Sequence, residues 1–193
     1  MRLLLIGPPG SGKGTQAVAI ANHFGIRHIS SGELLRQHIA DQTSVGRIAA
    51  AYVERGDLVP DGIVMDILRK PVEAASKEGG YVLDGFPRTV AQAESAYLIA
   101  KDLGARVQVA LYLDVPREEL IARMARRSRT DGRSDDKDEV MQHRIEVFEE
   151  LTTPLLDYYD QREILVRIDG ARPPEEVSAA AIAELERIRP ALT

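Results

Sequence analysis

The apolar run Leu3-Leu4-Leu5-Ile6 passes directly into Gly-Pro-Pro-Gly-Ser-Gly-Lys-Gly-Thr-Gln at residues 7–16. A continuous apolar run of this length reads as a strand buried on both faces. The glycine-rich stretch then opens a helix, and strand, loop and helix in that order are the context a phosphate-binding loop requires. Glycines 7, 10, 12 and 14 let the backbone curl until successive N–H groups point inward. Those donors and the positive end of the following helix wrap an anion carrying several charges. Lys13 adds an ammonium on a flexible stem that reaches the terminal phosphates. The general pattern places Ser or Thr straight after the lysine, where its hydroxyl holds magnesium. Gly14 stands there instead and Thr15 follows, so magnesium is expected to rest on phosphates and water rather than on a direct protein hydroxyl.

The chain has 193 residues, enough for one substantial core and short for two independent domains. Lys plus Arg number 25 against 30 for Asp plus Glu, a net charge of −5. That mild acidity argues against a nucleic-acid or membrane surface, which needs a basic excess. No segment approaches the roughly 20 apolar residues of a membrane span, and the opening apolar run is too short for a secretion signal. There are no cysteines, which excludes disulfides and cysteine-ligated zinc and is compatible with a cytoplasmic location.

Further apolar runs predict strands at Tyr81–Leu83, Val107–Leu113 and Ile164–Ile168, with a weaker one at Arg27–Ser30. Helices are expected from Lys13 to near His23, from near Thr89, from near Pro116, over residues 139–159, and over residues 174–189. In the last of these Val177, Ala181, Leu185 and Ile188 form one stripe. Strands alternating with helices imply a mainly parallel sheet covered on both faces. Ligands then sit beyond the carboxyl ends of the strands, so the loops after Ile6 and Leu83 are the places to search. Residues 31–73 carry only helical pattern, a helical insertion between two strands. Residues 128–138 are wholly polar and read as an exposed loop.

Three further clusters carry chemistry. Asp84, at the carboxyl end of its strand, suits the outer shell of magnesium. Arg88, just past a proline, can grip a phosphate through two parallel hydrogen bonds. In His28-Ile29-Ser30-Ser31-Gly32-Glu33, Ser30 or Ser31 can cap a helix and offer a hydroxyl to a ligand; His28 reads as a packing residue. Arg123 and Arg127 share one helix face, where like charges repel until a polyanion enters between them. Arg144 falls on the same face as Val140, Val147 and Phe148, and an arginine facing inward needs an anionic partner.

These residues resemble the adenylate kinases over nearly the whole chain. The resemblance rests on Gly85-Phe86-Pro87-Arg88-Thr89 with Gln92 four residues beyond Arg88, and on Gly-Arg-x-Asp-Asp at 132–136 followed by Arg144. It implies a five-stranded parallel sheet of the P-loop NTPase type, flanked by helices. Residues 1–29, 60–122 and 139–193 would form the core, 30–59 a monophosphate-binding insertion and 123–138 a short lid without metal ligands. Gly10, Ser11, Gly12, Lys13, Gly14 and Thr15 would cradle the ATP phosphates. Arg123 and Arg127 would clamp ATP from the lid, with Arg126 an alternative to Arg127, and the backbone of Arg172 would meet the adenine. Ser31, Arg36, Asp57, Leu58, Val59, Gly85, Phe86, Pro87, Arg88 and Gln92 match the AMP site, with Ser31 in place of the commoner threonine. Arg133 and Arg144 match the pair that bridges both nucleotides' phosphates.

The activity implied is Mg2+-dependent phosphoryl transfer from ATP to AMP, giving two ADP, by a cytoplasmic monomer without structural zinc. Its catalytic groups would be Lys13, Arg88, Arg123, Arg127, Arg133 and Arg144. Two other readings fit the residues less well. Kinases acting on UMP and CMP usually carry Asn at the place of Thr89, whereas Thr89 with Gln92 suits an adenine edge. A guanine-nucleotide switch needs Asn-Lys-x-Asp, and the only asparagine, Asn22, precedes His23.

Overall fold

Five strands, β1 (Arg2–Ile6), β2 (Arg27–Ser30), β3 (Tyr81–Asp84), β4 (Val109–Asp114) and β5 (Leu165–Asp169), pair side by side in the order β2-β3-β1-β4-β5. Every pairing is parallel, as the strand–helix alternation predicts. The computed structural model describes residues 1–102, 105–131 and 138–192, with side chains at 1–101, 105–126 and 139–191. The helices are α1 (Lys13–Phe24), α2 (Ser31–Ala40), α3 (Ser44–Arg55), α4 (Asp61–Lys77), α5 (Val90–Asp102), α6 (Arg117–Asp131), α7 (Asp138–Val147), α8 (Pro154–Asp160) and α9 (Pro174–Ile188).

Because side chains alternate across a strand, β1 feeds two cores. Leu3 and Leu5 pack with Ala17 and Ile20 of α1 and with Val177, Ala181 and Leu185 of α9. Leu4 and Ile6 face the opposite way, into the larger core beneath α2 to α5 and α8. Burying each such leucine contributes about 1.5–3 kcal/mol, which is why this apolar run cannot lie at an edge. A third cluster, Val115, Leu120, Met124, Met141 and Ile145, fastens α6 to α7.

The register brings the strand ends together. Asp84 lies opposite Leu5 on one side and opposite Ser30 on the other, and Ile6 lies opposite Tyr112. The chain leaves β1, β2 and β3 at that level to form the loops carrying Lys13, Ser31 and Arg88. The insertion is held locally: Thr43 caps α3 by accepting the Gly46 N–H at 3.0 Å.

Two expectations change. The helix expected over 139–159 is three segments, α7, a π-helical turn over Phe148–Thr152, and α8. Pro154 lacks an N–H and its ring clashes with the carbonyl four residues back. The wider turn accommodates this, with Thr153 N–H bonding the Phe148 carbonyl at 2.9 Å. The polar stretch 128–138 is helical as far as Asp131, a continuation that the good helix propensity of arginine favours; residues 132–137 lie outside the described ones. An apolar patch is also exposed on α5, at Tyr97, Leu98 and Ile99.

Candidate active site

The loop between β1 and α1 is built around the first turn of α1. Gly12 caps that helix with φ 89° and no side-chain hydrogen bond, so the first N–H groups of α1 point into the loop without intrahelical partners. Gly10 has φ +83°, and a Cβ there would come 2.9 Å from Met124 Cγ and 3.0 Å from the Leu120 carbonyl. The loop therefore lies directly against α6, and only glycine permits that approach. Lys13 Nζ donates to the carbonyls of Gly7 at 2.7 Å and Pro8 at 2.9 Å, bridging the loop it belongs to. Ser11 Oγ is buried and makes no hydrogen bond.

Across the sheet, Ser30 and Ser31 divide the two roles that the sequence left open between them. Ser30 Oγ accepts the Glu33 N–H at 3.3 Å and caps α2. Ser31 Oγ is buried, with no hydrogen bond, which costs free energy unless a ligand supplies a partner. Gly85 has φ +80°, and a Cβ on it would fall 2.6 Å from that hydroxyl. The same turn places Arg88, whose Nε donates to the Gly85 carbonyl at 2.8 Å.

Gln92 is 3% exposed. Its Oε1 accepts the Arg88 N–H at 2.7 Å and its Nε2 donates to Asp61 Oδ1 at 2.6 Å. One N–H and one lone pair of the amide remain for a ligand. Thr152, turned inward by the π-helical turn, donates to the Arg88 carbonyl at 2.8 Å. Arg88 thus sits on a segment tied at both its N–H and its carbonyl.

Two cavities of about 60 Å3 each open at the strand ends. One is lined by Gly7, Pro9, Lys13, Pro87 and Phe148 among others, the second by Ser31, Arg36, Asp57, Val59 and Gln92. Gly56, Leu58, Gly85, Arg88 and Arg144 line both. Arg144 does occupy an inward face of α7, as its spacing predicts, half-buried between the two cavities.

Both carboxylate oxygens of Asp57 are engaged: Oδ2 accepts from Arg55 Nε at 2.8 Å and Oδ1 meets His143 Nε2 at 2.7 Å. These bonds, that of His143 foremost, hold its carboxyl below the usual range. Asp84 is 8% exposed, and its Oδ1 has no hydrogen-bond partner. A buried, unpartnered carboxyl oxygen beside the phosphate loop is the donor chemistry that suits magnesium.

On the α6 side, Arg123 Nε bonds Glu119 Oε1 at 2.7 Å and its Nη2 donates to the Ala171 carbonyl at 3.2 Å. That bond joins α6 to the loop after β5, where Arg172 Nε pairs with Asp169 Oδ2 at 2.9 Å. Arg126 Nη2 lies 3.3 Å from Glu119 Oε1. Arg127 belongs to α6, but its side chain lies outside the described residues, and so does Arg133 as a whole. Sequence reasoning missed Asp61, His143 and Thr152. Asp61 follows a proline at a helix start, a legible hint of a cap; the other two become visible only once α7 and the π-helical turn are packed.

Residues 5–164 match the family model described as adenylate kinase. The chain is 44% identical to an adenylate kinase of Thermobifida fusca, over 96% of this chain and 98% of that protein. It is 42% identical to one of Thermus thermophilus, over 98% and 96%, and 38% identical to one of Phocaeicola vulgatus, over 97% and 100%. The loop geometry and the doubled cavity agree with these matches: the chain belongs to the adenylate kinase family and is a phosphotransferase acting on adenine nucleotides.

Proposed function

We propose that the cavity beside Lys13 receives the ATP phosphates, that the one beside Ser31 and Arg36 receives AMP, and that Arg88 and Arg144 serve both. The observation carrying this reading is that those two arginines line both cavities. A group passing between two polyanions needs cations at their junction, and the AMP phosphate needs no general base. Its second pKa is about 6, so at neutral pH it is already a nucleophile. The work left to the protein is to align two mutually repelling nucleotides and to neutralise charge on the transferring group.

Residues 10–15 wrap the ATP phosphates with their N–H groups, and Lys13 exchanges its loop carbonyls for phosphate oxygens. Arg123 and Arg127 clamp ATP from α6, Arg133 joins them when the lid closes, and the backbone of Arg172 meets the adenine. Ser31 Oγ, Arg36, the backbone of Asp57 to Val59, the turn Gly85 to Arg88, and Gln92 hold AMP. Asp84 would hold Mg2+ through water, and the ion would supply positive charge against the ATP phosphates. The insertion 30–59 and the lid 123–138 close over the core and exclude water. Both sites are built from one chain, so the enzyme acts as a monomer, in the cytoplasm.

Turnover measured side by side with AMP, CMP, UMP and GMP tests this, together with a crystal soaked in a bisubstrate dinucleotide. AMP should be the preferred acceptor and both cavities should fill. Preference for a pyrimidine nucleotide, or a single occupied cavity at saturation, would sink it.

A further inference from the structure

Helices α4 and α5 both lie over the larger core yet diverge, and a cleft of about 390 Å3 opens between them. Its floor is Leu4, Tyr81 and Leu83 of the sheet; Leu68 and Val72 of α4 and Ala96 of α5 form its sides. The volume falls within the range of small-molecule sites, about 300–1,000 Å3. Each cavity at the strand ends is far smaller. No step of phosphoryl transfer uses this cleft, although Pro87 forms part of both its wall and that of the Lys13 cavity.

The rim has a different chemistry from the floor. Arg69, Lys77, Arg106 and Arg162 line it against a single acid, Glu73, in a chain whose net charge is −5. Lys77 Nζ sits 2.8 Å from Glu73 Oε1, so that acid is already neutralised, and Arg69 lies 3.8 Å from Asp66. The guanidiniums of Arg106 and Arg162 instead stand over aromatic rings, 5.1 Å from the centre of Tyr97 and 3.5 Å from that of Tyr158. Among the described residues neither faces a carboxylate at ion-pair distance. An apolar trough edged by guanidiniums complements a molecule with an apolar body and an anionic end.

We propose that this cleft is a second ligand site, which takes a free fatty carboxylate with a tail of about ten carbons. The tail lies over the buried floor and covers Met65, Val72, Ile99 and Val107 of the walls, removing their remaining apolar surface from water. The carboxylate meets Arg106 and Arg162, whose planar forks match its two oxygens. A cationic amphiphile is repelled by the same rim, and a neutral one leaves it unused.

Titration calorimetry of decanoate into the wild-type protein tests the proposal. One decanoate should bind per chain, and decanol should bind at least about tenfold more weakly. Ala96→Trp and, separately, Ala100→Trp fill the cleft and should abolish uptake, with circular dichroism and turnover of ATP and AMP unchanged. Should either variant fail to fold, the double change Arg106→Ala with Arg162→Ala on the surface should bring decanoate down to the affinity of decanol. The proposal is overturned if decanoate does not bind up to its solubility limit or if decanol binds as tightly. It is equally overturned if a saturating bisubstrate dinucleotide displaces decanoate while the tryptophan variants still bind it. Light scattering that shows a dimer closing the cleft, with no decanoate uptake, would also overturn it.

Discussion

His143 Nε2 lies 2.7 Å from Asp57 Oδ1, joining α7 to the end of the helical insertion across 86 positions of sequence. Arg55 holds the other carboxylate oxygen at 2.8 Å, so Asp57 is the point at which insertion and α7 meet. Arg144, next to His143, borders both cavities. The contact therefore sets the distance between the wall of the Ser31 cavity and the arginine that borders both cavities.

Loss of this contact should loosen AMP binding more than chemistry. Asp57→Asn and His143→Ala are each expected to raise the KM for AMP several-fold with a smaller change in kcat. Both partners are partly exposed, so stability should change by no more than about 1 kcal/mol. The folded pKa of Asp57 is depressed. Its contribution is therefore present above the ordinary value of 3.8 and fades as pH falls through the folded value. Melting temperatures of wild type and Asp57→Asn should differ near pH 6 and converge in strong acid; a gap that widened in acid would contradict this.

Lys13→Ala and Arg88→Ala should each lower kcat by around 10³–10⁵-fold, the range for cations that stabilise a transferring phosphoryl group. Neither side chain belongs to a core, so thermal unfolding should barely move. Steady-state kinetics on folded protein decide it. An Arg88→Ala enzyme keeping above a tenth of normal turnover would remove Arg88 from the catalytic set.

Asp84→Asn is expected to weaken the binding of magnesium rather than the fold. Oδ1 has no hydrogen bond to lose, so the amide should leave stability unchanged or slightly higher. Titrating Mg2+ at fixed ATP and AMP should show a higher half-saturating concentration. An unchanged magnesium curve would place the ion elsewhere.

Gly85→Ala should disable the AMP side. The added Cβ meets Ser31 Oγ, and the backbone stands at φ +80°, together costing about 1–3 kcal/mol. Calorimetric unfolding should register that loss. Binding of AMP, followed by titration calorimetry, should weaken far more than binding of ATP.

Alkali should unfold the protein in a window set by a buried phenol. Burial of Tyr81 raises its pKa from 10.0 to about 12. A raised folded value means stability intact below the unfolded pKa and lost as pH rises from there toward the folded one. Across that interval the loss amounts to about 2–3 kcal/mol. Tyrosine ionisation followed by ultraviolet absorbance should coincide with loss of helical circular dichroism. Full tyrosine titration with the helices intact would refute it.

What the chain settled by itself was local and periodic. Leu3 to Ile6 must be a central strand because an unbroken apolar run needs cover on both faces, and the glycines after it admit only a loop that bares backbone N–H groups. The motif at residues 85–92 was likewise legible, because proline, arginine and turn residues act within a few positions of one another. The choice between Ser30 and Ser31 was not: both can cap, and packing of Gly85 against Ser31 made one the cap and left the other buried and unpaired. Nor could spacing show that Thr152 anchors Arg88 or that His143 reaches Asp57, since each contact joins segments more than sixty residues apart. Periodicity reports which face of an element is buried; which groups meet across those faces depends on the rotation and depth of packing, and that only the tertiary structure decides.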